Sequence, residues 1–172
     1  MKQSFKTIQD KVQNWTQAKQ TIEQWKMEGN VIVFTNGCFD ILHYGHIHYL
    51  SEASLLGDKL VIGLNSKDSI SRLKGKNRPI NDDLTRQHLL AALGYVDLVV
   101  EFTTDTPLEL ITLLLPNILV KGGDWQPKDI VGSDVVMANG GQVLSLPYVQ
   151  GYSTTNIEQK IIDNYKKSVG SK

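Results

Sequence analysis

The chain has 172 residues, 41% hydrophobic and 21% charged, enough for one domain with a substantial core. Its 18 Lys and Arg balance 18 Asp and Glu, so the formal net charge is +0 with no basic block. That speaks against a dedicated nucleic-acid binder, whose phosphate contacts need clustered cations. No apolar run is long enough to span a bilayer, and residues 1–6 lack the apolar core of a signal peptide. Cys38 is the only cysteine, which excludes an internal disulfide and makes a cytoplasmic location the expectation.

Phe5, Ile8, Val12, Trp15, Ile22 and Trp25 recur at near-helical spacing. They predict one or two amphipathic helices ending at Gly29-Asn30. This is a helical extension at about residues 1–29 of a single domain covering 1–172. The stripe covers too few turns for a coiled coil and packs on the domain itself; homo-oligomerisation stays open. From Val31 the pattern alternates. Val31-Ile32-Val33-Phe34 reads as a buried strand, and Ile47, Leu50 and Ala53 mark a helix closed by Gly57-Asp58. Lys59–Asn65 is the second strand. Arg72–Arg78 reads as a solvated loop, a candidate flap. Asn81-Asp82-Asp83 supplies caps for a helix carrying Leu84, Leu89, Leu90 and Leu93. Asp97–Phe102 is the third strand, and Pro107 opens a helix through Leu115. Ile118–Lys121 is the fourth strand, ending at Gly122-Gly123. A short helix at Ser133–Asn139 stops at Gly140, and Gln142–Val149 is the fifth strand. Ser153-Thr154-Thr155-Asn156 caps a last helix through about Tyr165. The expected fold is α/β, a Rossmann-like doubly wound sheet, mainly parallel, of five strands with helices on both faces.

In such sheets ligands bind beyond the carboxyl ends of the strands. That edge gathers Asn36–Asp40, Asn65-Ser66, Lys121–Asp124 and Gly151–Asn156. His43 and His46 fall on the first turn of a helix, three residues apart on one face, where free N–H groups favour an anion. Gly45 between them leaves room for a flat or bulky ligand to approach the backbone. Two helix starts, a lysine, two histidines and several glycines suit a triphosphate, which needs donors and positive charge rather than a covalent nucleophile.

Blander readings compete at each position. A His-x-x-His pair is usually incidental or a weak metal pair, but helical zinc sites prefer a four-residue step with a third ligand, and none is evident. Cys38 reads as a small packed residue whose backbone N–H matters. Ser153-Thr154-Thr155 alone is a good helix cap. Lys121, ending an apolar strand before two glycines, is poorly explained by packing. The chain lacks G-x-x-x-x-G-K-[ST] and lacks G-x-G-x-x-G after the first strand, which argues against a P-loop protein and a dinucleotide-binding domain.

His43-Tyr44-Gly45-His46 resembles the His-x-Gly-His motif of the nucleotidyltransferase superfamily. Within it, Asn36-Gly37-Cys38-Phe39-Asp40, Leu73-Lys74-Gly75, Arg78-Pro79, Val120-Lys121-Gly122-Gly123-Asp124 and Ser153-Thr154-Thr155-Asn156 resemble the adenylyltransferase domain of the ADP-heptose synthases. The likeness covers roughly residues 16–163, without the sugar-kinase domain often fused to this one, so the stand-alone form is expected. It implies transfer of AMP from ATP, with Mg²⁺, to D-glycero-β-D-manno-heptose 1-phosphate, giving ADP-heptose for lipopolysaccharide or related glycans and pyrophosphate. By the same resemblance the catalytic residues are His43, His46 and Lys121. The nucleotide would be held by Asn36, Gly37, Cys38, Phe39, Gly45, Asn65, Gly122, Gly123, Asp124, Trp125, Ser153, Thr154 and Thr155. The sugar phosphate would meet Asp40, Lys74, Arg78 and Arg86, and no protein-built metal site is expected. ATP and a sugar 1-phosphate are the implied partners, with no nucleic acid and no membrane. Sister enzymes such as glycerol-3-phosphate cytidylyltransferase or FMN adenylyltransferase would share the phosphate residues. A nucleotide-binding module without turnover is the rival from another class.

Overall fold

The computed structural model describes residues 4–169; the first three residues of the stretch read against a signal peptide lie outside it. Five strands form one sheet: β1 (Ile32–Gly37), β2 (Lys59–Asn65), β3 (Leu98–Phe102), β4 (Ile118–Gly122) and β5 (Gln142–Leu146). Their order is β3-β2-β1-β4-β5, and every pair is parallel. In register, Phe34 lies opposite Val61 and Leu119, and Lys121 opposite Ser145. The chain leaves β1 toward β2 on one side and returns to β4 on the other, so the sheet has its switch point between β1 and β4.

Alternation along the strands sorts the core into two layers. Ile32, Phe34, Val61, Leu98, Val100 and Leu119 face helices α2 (Trp15–Met27), α6 (Leu108–Leu114) and α7 (Ser133–Ala138), which contribute Ala18, Ile22, Leu110, Ile111 and Val136. Val33, Leu60, Ile62, Leu64, Val99 and Val120 face α3 (Tyr44–Ser54) and α5 (Asp83–Ala91) through Tyr49, Leu50, Ala53, Leu90 and Ala91. Strands buried on both faces explain the near-continuous apolar runs, and each such side chain contributes roughly 1.5–3 kcal/mol on burial.

The N-terminal segment covers the sheet edge at β3. The Val99 N–H donates to Lys11 O at 2.8 Å, and the Gln13 N–H donates to Val99 O at 3.1 Å. Here Val12 forms an isolated parallel bridge to Val99. Trp15 Nε1 donates to Glu101 O at 2.8 Å. Helix α1 (Phe5–Asp10) brings Ile8 to one core layer, and α2 brings Ala18 and Ile22 to the other. Backbone groups of an edge strand that would otherwise offer a template to another chain are thus partly paired.

Two local expectations change. Arg72–Lys74 are not loop: they form the last turn of α4 (Lys67–Lys74), capped by Ser66, whose Oγ accepts the Ser69 N–H at 3.2 Å. Ile70 and Leu73 are its only apolar positions, too few to mark a helix among its charged residues. The fifth strand ends at Leu146 rather than Val149, which frees Tyr148 from the sheet. The last helix, α8 (Thr154–Val169), carries no buried residue and has its start fixed by Ser153, whose Oγ accepts the Asn156 N–H at 3.0 Å.

Candidate active site

A cavity of about 790 Å³ opens at the carboxyl ends of β1, β2 and β4. That is within the usual range for a small-molecule site. Fourteen of the site residues named from the sequence line it: Asn36, Gly37, Cys38, Phe39, Asp40, His46, Asn65, Lys74, Arg78, Lys121, Gly122, Trp125, Thr154 and Thr155.

The segment after β1 forms the floor. Phe39 adopts a left-handed backbone at φ 43°, a costly conformation for a bulky residue. That turn lays its ring over Gly37, where an added Cβ would sit 2.9 Å from Phe39 Cε2. The same ring meets His46 edge-on, with centroids 5.2 Å apart. The turn therefore sets both the floor and one face of the imidazole.

His43 is not on the first turn of α3 but at its N-cap, and its Nδ1 accepts the His46 N–H at 3.3 Å. A neutral His43 with an accepting Nδ1 carries its proton on Nε2. It does not line the cavity; its ring stacks on His46 at 3.7 Å between centroids. Burial, then the neighbouring His43 and Lys74, push the His46 pKa down to about 4. Its Nδ1 has no hydrogen-bond partner among the described residues. At neutral pH His46 is thus an uncharged donor or acceptor facing the cavity.

Lys121 rises from the end of β4, and its Nζ donates to Asn36 Oδ1 at 3.2 Å. Burial holds its pKa below the ordinary lysine value, partly offset by the neighbouring Cys38. Beyond it lies an aromatic wall of Trp125, named from the sequence, and Tyr148, which the sequence reading missed. The Tyr148 ring covers Gly122 and Gly123: a Cβ on Gly122 would stand 2.6 Å from Tyr148 Cε1. A Cβ on Gly123, whose φ is 113°, would meet Trp125 Nε1 and Tyr148 Cε2, each at 3.1 Å. These glycines let two aromatic rings close on the backbone. The only available signal was Tyr148 itself, assigned to a strand.

Asp40 is buried and surrounded by donors. The Ile80 N–H reaches its Oδ1 at 2.8 Å, the Asn81 N–H at 3.0 Å, and Arg78 Nη1 reaches Oδ2 at 2.9 Å. Burial opposes its charge, yet these bonds and the guanidinium hold the carboxyl below the usual carboxylate range. Asp40 therefore fixes the loop that carries Arg78. Arg78 also pairs through Nη2 with Glu158 of α8, a residue the sequence reading did not single out.

Several named residues lie elsewhere. Arg86 is fully buried and does not reach the cavity. Its Nη1 donates to Cys38 O at 2.7 Å and Asn65 O at 2.9 Å, and its Nη2 to Asp83. It ties the ends of β1 and β2 to α5 instead of meeting a substrate phosphate. The space beside Gly45 is taken by the chain's own Tyr152 Cβ, 3.1 Å from where a Cβ would stand, and by the His43 ring at 3.2 Å, not by a ligand. Asp124 is exposed, Gly123 sits under the aromatic wall, and Ser153 acts as the α8 cap.

The cavity is also lined by the segments that precede α6 and α7. Asp105, Thr106 and Pro107 precede α6, and Asp129, Ile130 and Val131 precede α7; none was named from sequence as a site residue. No group of three or more His, Cys, Asp or Glu that could hold a metal occurs among the described residues. The engaged Asp40 does not fit a metal ligand set. No helix among the described residues is long and apolar enough to cross a membrane.

A parallel sheet with a cation-lined cavity at its switch point and a histidine pair opening the first crossover helix defines the class of the nucleotidyltransferases. The cytidylyltransferase-like family model matches residues 34–160, and the chain belongs to that family. "Bifunctional protein HldE" of Magnetococcus marinus is 53% identical over 152 residues, 88% of this chain and 31% of that protein. The protein of the same name from Actinobacillus pleuropneumoniae serotype 5b is 54% identical over 143 residues, 83% of this chain and 30% of its own. The chain thus spans roughly a third of the length of these curated relatives. Among solved structures, a lipopolysaccharide core biosynthesis protein from Thermoplasma volcanium matches with a TM-score of 0.57 at 31% identity, over 73% of this chain and 100% of that one. A pantoate-beta-alanine ligase from Francisella tularensis, 14% identical with a TM-score of 0.54 over 86% of this chain and 75% of that one, shares the fold alone.

Proposed function

We propose that the chain transfers AMP from ATP to D-glycero-β-D-manno-heptose 1-phosphate, releasing pyrophosphate and forming ADP-heptose. The observation that carries this reading is the cavity's layout. An aromatic wall at Trp125 and Tyr148 adjoins Lys121 and His46, and Lys74 and Arg78 line the same space. A flat base, a triphosphate and a second phosphate find matching surfaces in that arrangement. The adenylyl and heptosyl specificities rest on the sequence strings from Asn36 to Asp40 and from Val120 to Asp124. The Thermoplasma volcanium neighbour, a lipopolysaccharide core biosynthesis protein, points the same way.

In this reaction a phosphate oxygen of the sugar phosphate attacks the α-phosphorus in line. The bond to the bridging oxygen breaks, and pyrophosphate leaves with the electron pair. The attacking oxygen is already ionised at neutral pH, so no general base is required. What remains is positioning and charge stabilisation. Lys121, the neutral His46 and the start of α8 at Thr154 and Thr155 hold the triphosphate, and Arg78 and Lys74 hold the acceptor phosphate. Mg²⁺ enters with ATP, carried by phosphate oxygens and water. A reaction that consumes ATP places the activity in the cytoplasm.

The test is a pyrophosphate-release screen of ATP and CTP against heptose 1-phosphate, glycerol 3-phosphate and FMN. Turnover only with ATP and heptose 1-phosphate is expected. Preference for CTP and glycerol 3-phosphate would move the chain to a sister activity, and nucleotide binding without release would make it a binding module.

A further inference from the structure

We infer that Glu158 is a positioning residue that couples the two halves of the site, by holding the start of α8 against Arg78. The inference rests on the proposed function. Thr154 and Thr155 line the cavity, and Glu158 follows them by four and three residues, on the same face of the helix. Its carboxylate takes Arg78 Nη2, while Nη1 of the same guanidinium stays on Asp40. One planar group therefore joins the turn after β1, the loop before α5 and the first turns of α8. The two-pronged donor geometry of arginine suits such a bridge.

Helix α8 has little else to fix it. It buries no residue fully, and Ile157 is only half-buried. The other non-local contacts described at its start are Tyr152 on Tyr44, with ring centroids 5.0 Å apart, and Tyr152 Cβ against Gly45. The Arg78–Glu158 pair is the one ion pair described between the first turns of α8, which carry Thr154 and Thr155, and the rest of the site. A carboxylate beside a site for two phosphate-bearing substrates is otherwise unfavourable, because like charges repel across a partly buried site. Two roles give opposite signs. A carboxylate that only adds negative charge weakens ATP binding, so its removal tightens it. A carboxylate that positions α8 strengthens ATP binding, so its removal loosens it.

The experiment compares wild type, E158Q, R78Q and R78Q/E158Q. ATP affinity is read by titration calorimetry without acceptor, kcat and KM by pyrophosphate release, and folding by thermal melts. Loss of one charge-assisted contact predicts about a tenfold rise in the ATP dissociation constant for E158Q. The melt should be nearly unchanged, and the double variant should be no worse than R78Q. E158D, which keeps the charge on a shorter stem, should fall between wild type and E158Q. Tighter ATP binding in E158Q, or effects of the two substitutions that simply add, would overturn the inference. A lowered melting temperature with unchanged affinity would also overturn it, leaving a structural ion pair. If wild type binds ATP but does not use heptose 1-phosphate, the proposed acceptor is wrong, and the affinity comparison still decides the role of Glu158.

Discussion

The imidazoles of His43 and His46 stack with centroids 3.7 Å apart and 18° between their planes. Two charged rings at that distance would repel strongly, and burial disfavours charge on both. The pair is therefore neutral in the ordinary working range. On the proposed function, His46 would act through hydrogen bonding and shape, with its backbone N–H held by His43 Nδ1.

His46→Ala should lower kcat by roughly two decades, the usual cost of losing one transition-state donor. Its pKa, about 4 in the folded chain, lies below the ordinary value of 6.5. Between those pH values the unfolded chain binds the extra proton, so the stabilising effect of neutral His46 is complete above 6.5 and is lost as pH falls toward 4. His46→Gln should flatten that acid limb in urea unfolding measured from pH 7 to pH 4. An unchanged limb would place the acid sensitivity elsewhere.

Arg86→Met should cost about 2–4 kcal/mol of stability, because it leaves two strand-end carbonyls without their donor and removes one partner of the half-exposed Asp83. Denaturant unfolding reads this directly. A residue that gripped the sugar phosphate would instead raise the acceptor KM and leave the unfolding midpoint in place.

Cys38 lines the cavity, and its carbonyl is held by Arg86. Direct transfer between phosphates needs no thiol, so Cys38→Ser should keep substantial activity, and ATP alone should leave no adenylyl group on the chain by mass spectrometry. Alkylation of Cys38 with N-ethylmaleimide should block the enzyme by filling the cavity, and ATP should protect it. Full activity after complete alkylation would remove Cys38 from the wall of the working site.

The parallel sheet was legible because strands buried on both faces leave uninterrupted runs such as Val31–Phe34 and Lys59–Asn65. The cavity floor was legible because Asn36–Asp40 and Lys121–Gly122 end such runs. What stayed hidden depends on contacts distant in sequence. Arg86 looks like any polar helix position until Cys38 O, 48 residues away, is seen to need a donor. Glu158 looks like a surface charge until Arg78, 80 residues away, meets it. Tyr148 was hidden differently: an apolar run continuing past Leu146 looked like strand, and only the bare backbone of Gly122 and Gly123 shows what its ring covers. Helix α4 spans eight residues with apolar positions only at Ile70 and Leu73, too short a pattern to stand out from the charged run that follows.

Lys121 separates two readings of the site most sharply. Its Nζ is drawn to Asn36 Oδ1, and its charge is partly desolvated at the end of a central strand. A lysine there as a strand terminus would tolerate Lys121→Met, which keeps the length of the stem and the packing. A lysine against the triphosphate would not. A charge-assisted hydrogen bond is worth about 1.5–3 kcal/mol, so Lys121→Met should lower kcat/KM for ATP by about one to two decades. Lys121→Arg should recover only part of this, because the guanidinium is larger and its donors are fixed in a plane. The pH dependence gives an independent check. With its pKa below the ordinary lysine value, Lys121 loses its proton at lower pH than an exposed lysine. The affinity for ATP should therefore fall on the alkaline side earlier in wild type than in Lys121→Arg. Steady-state kinetics with ATP varied, run beside a thermal melt that excludes unfolding, decides the question. Unchanged kcat/KM in Lys121→Met would put the triphosphate elsewhere in the cavity, away from the end of β4.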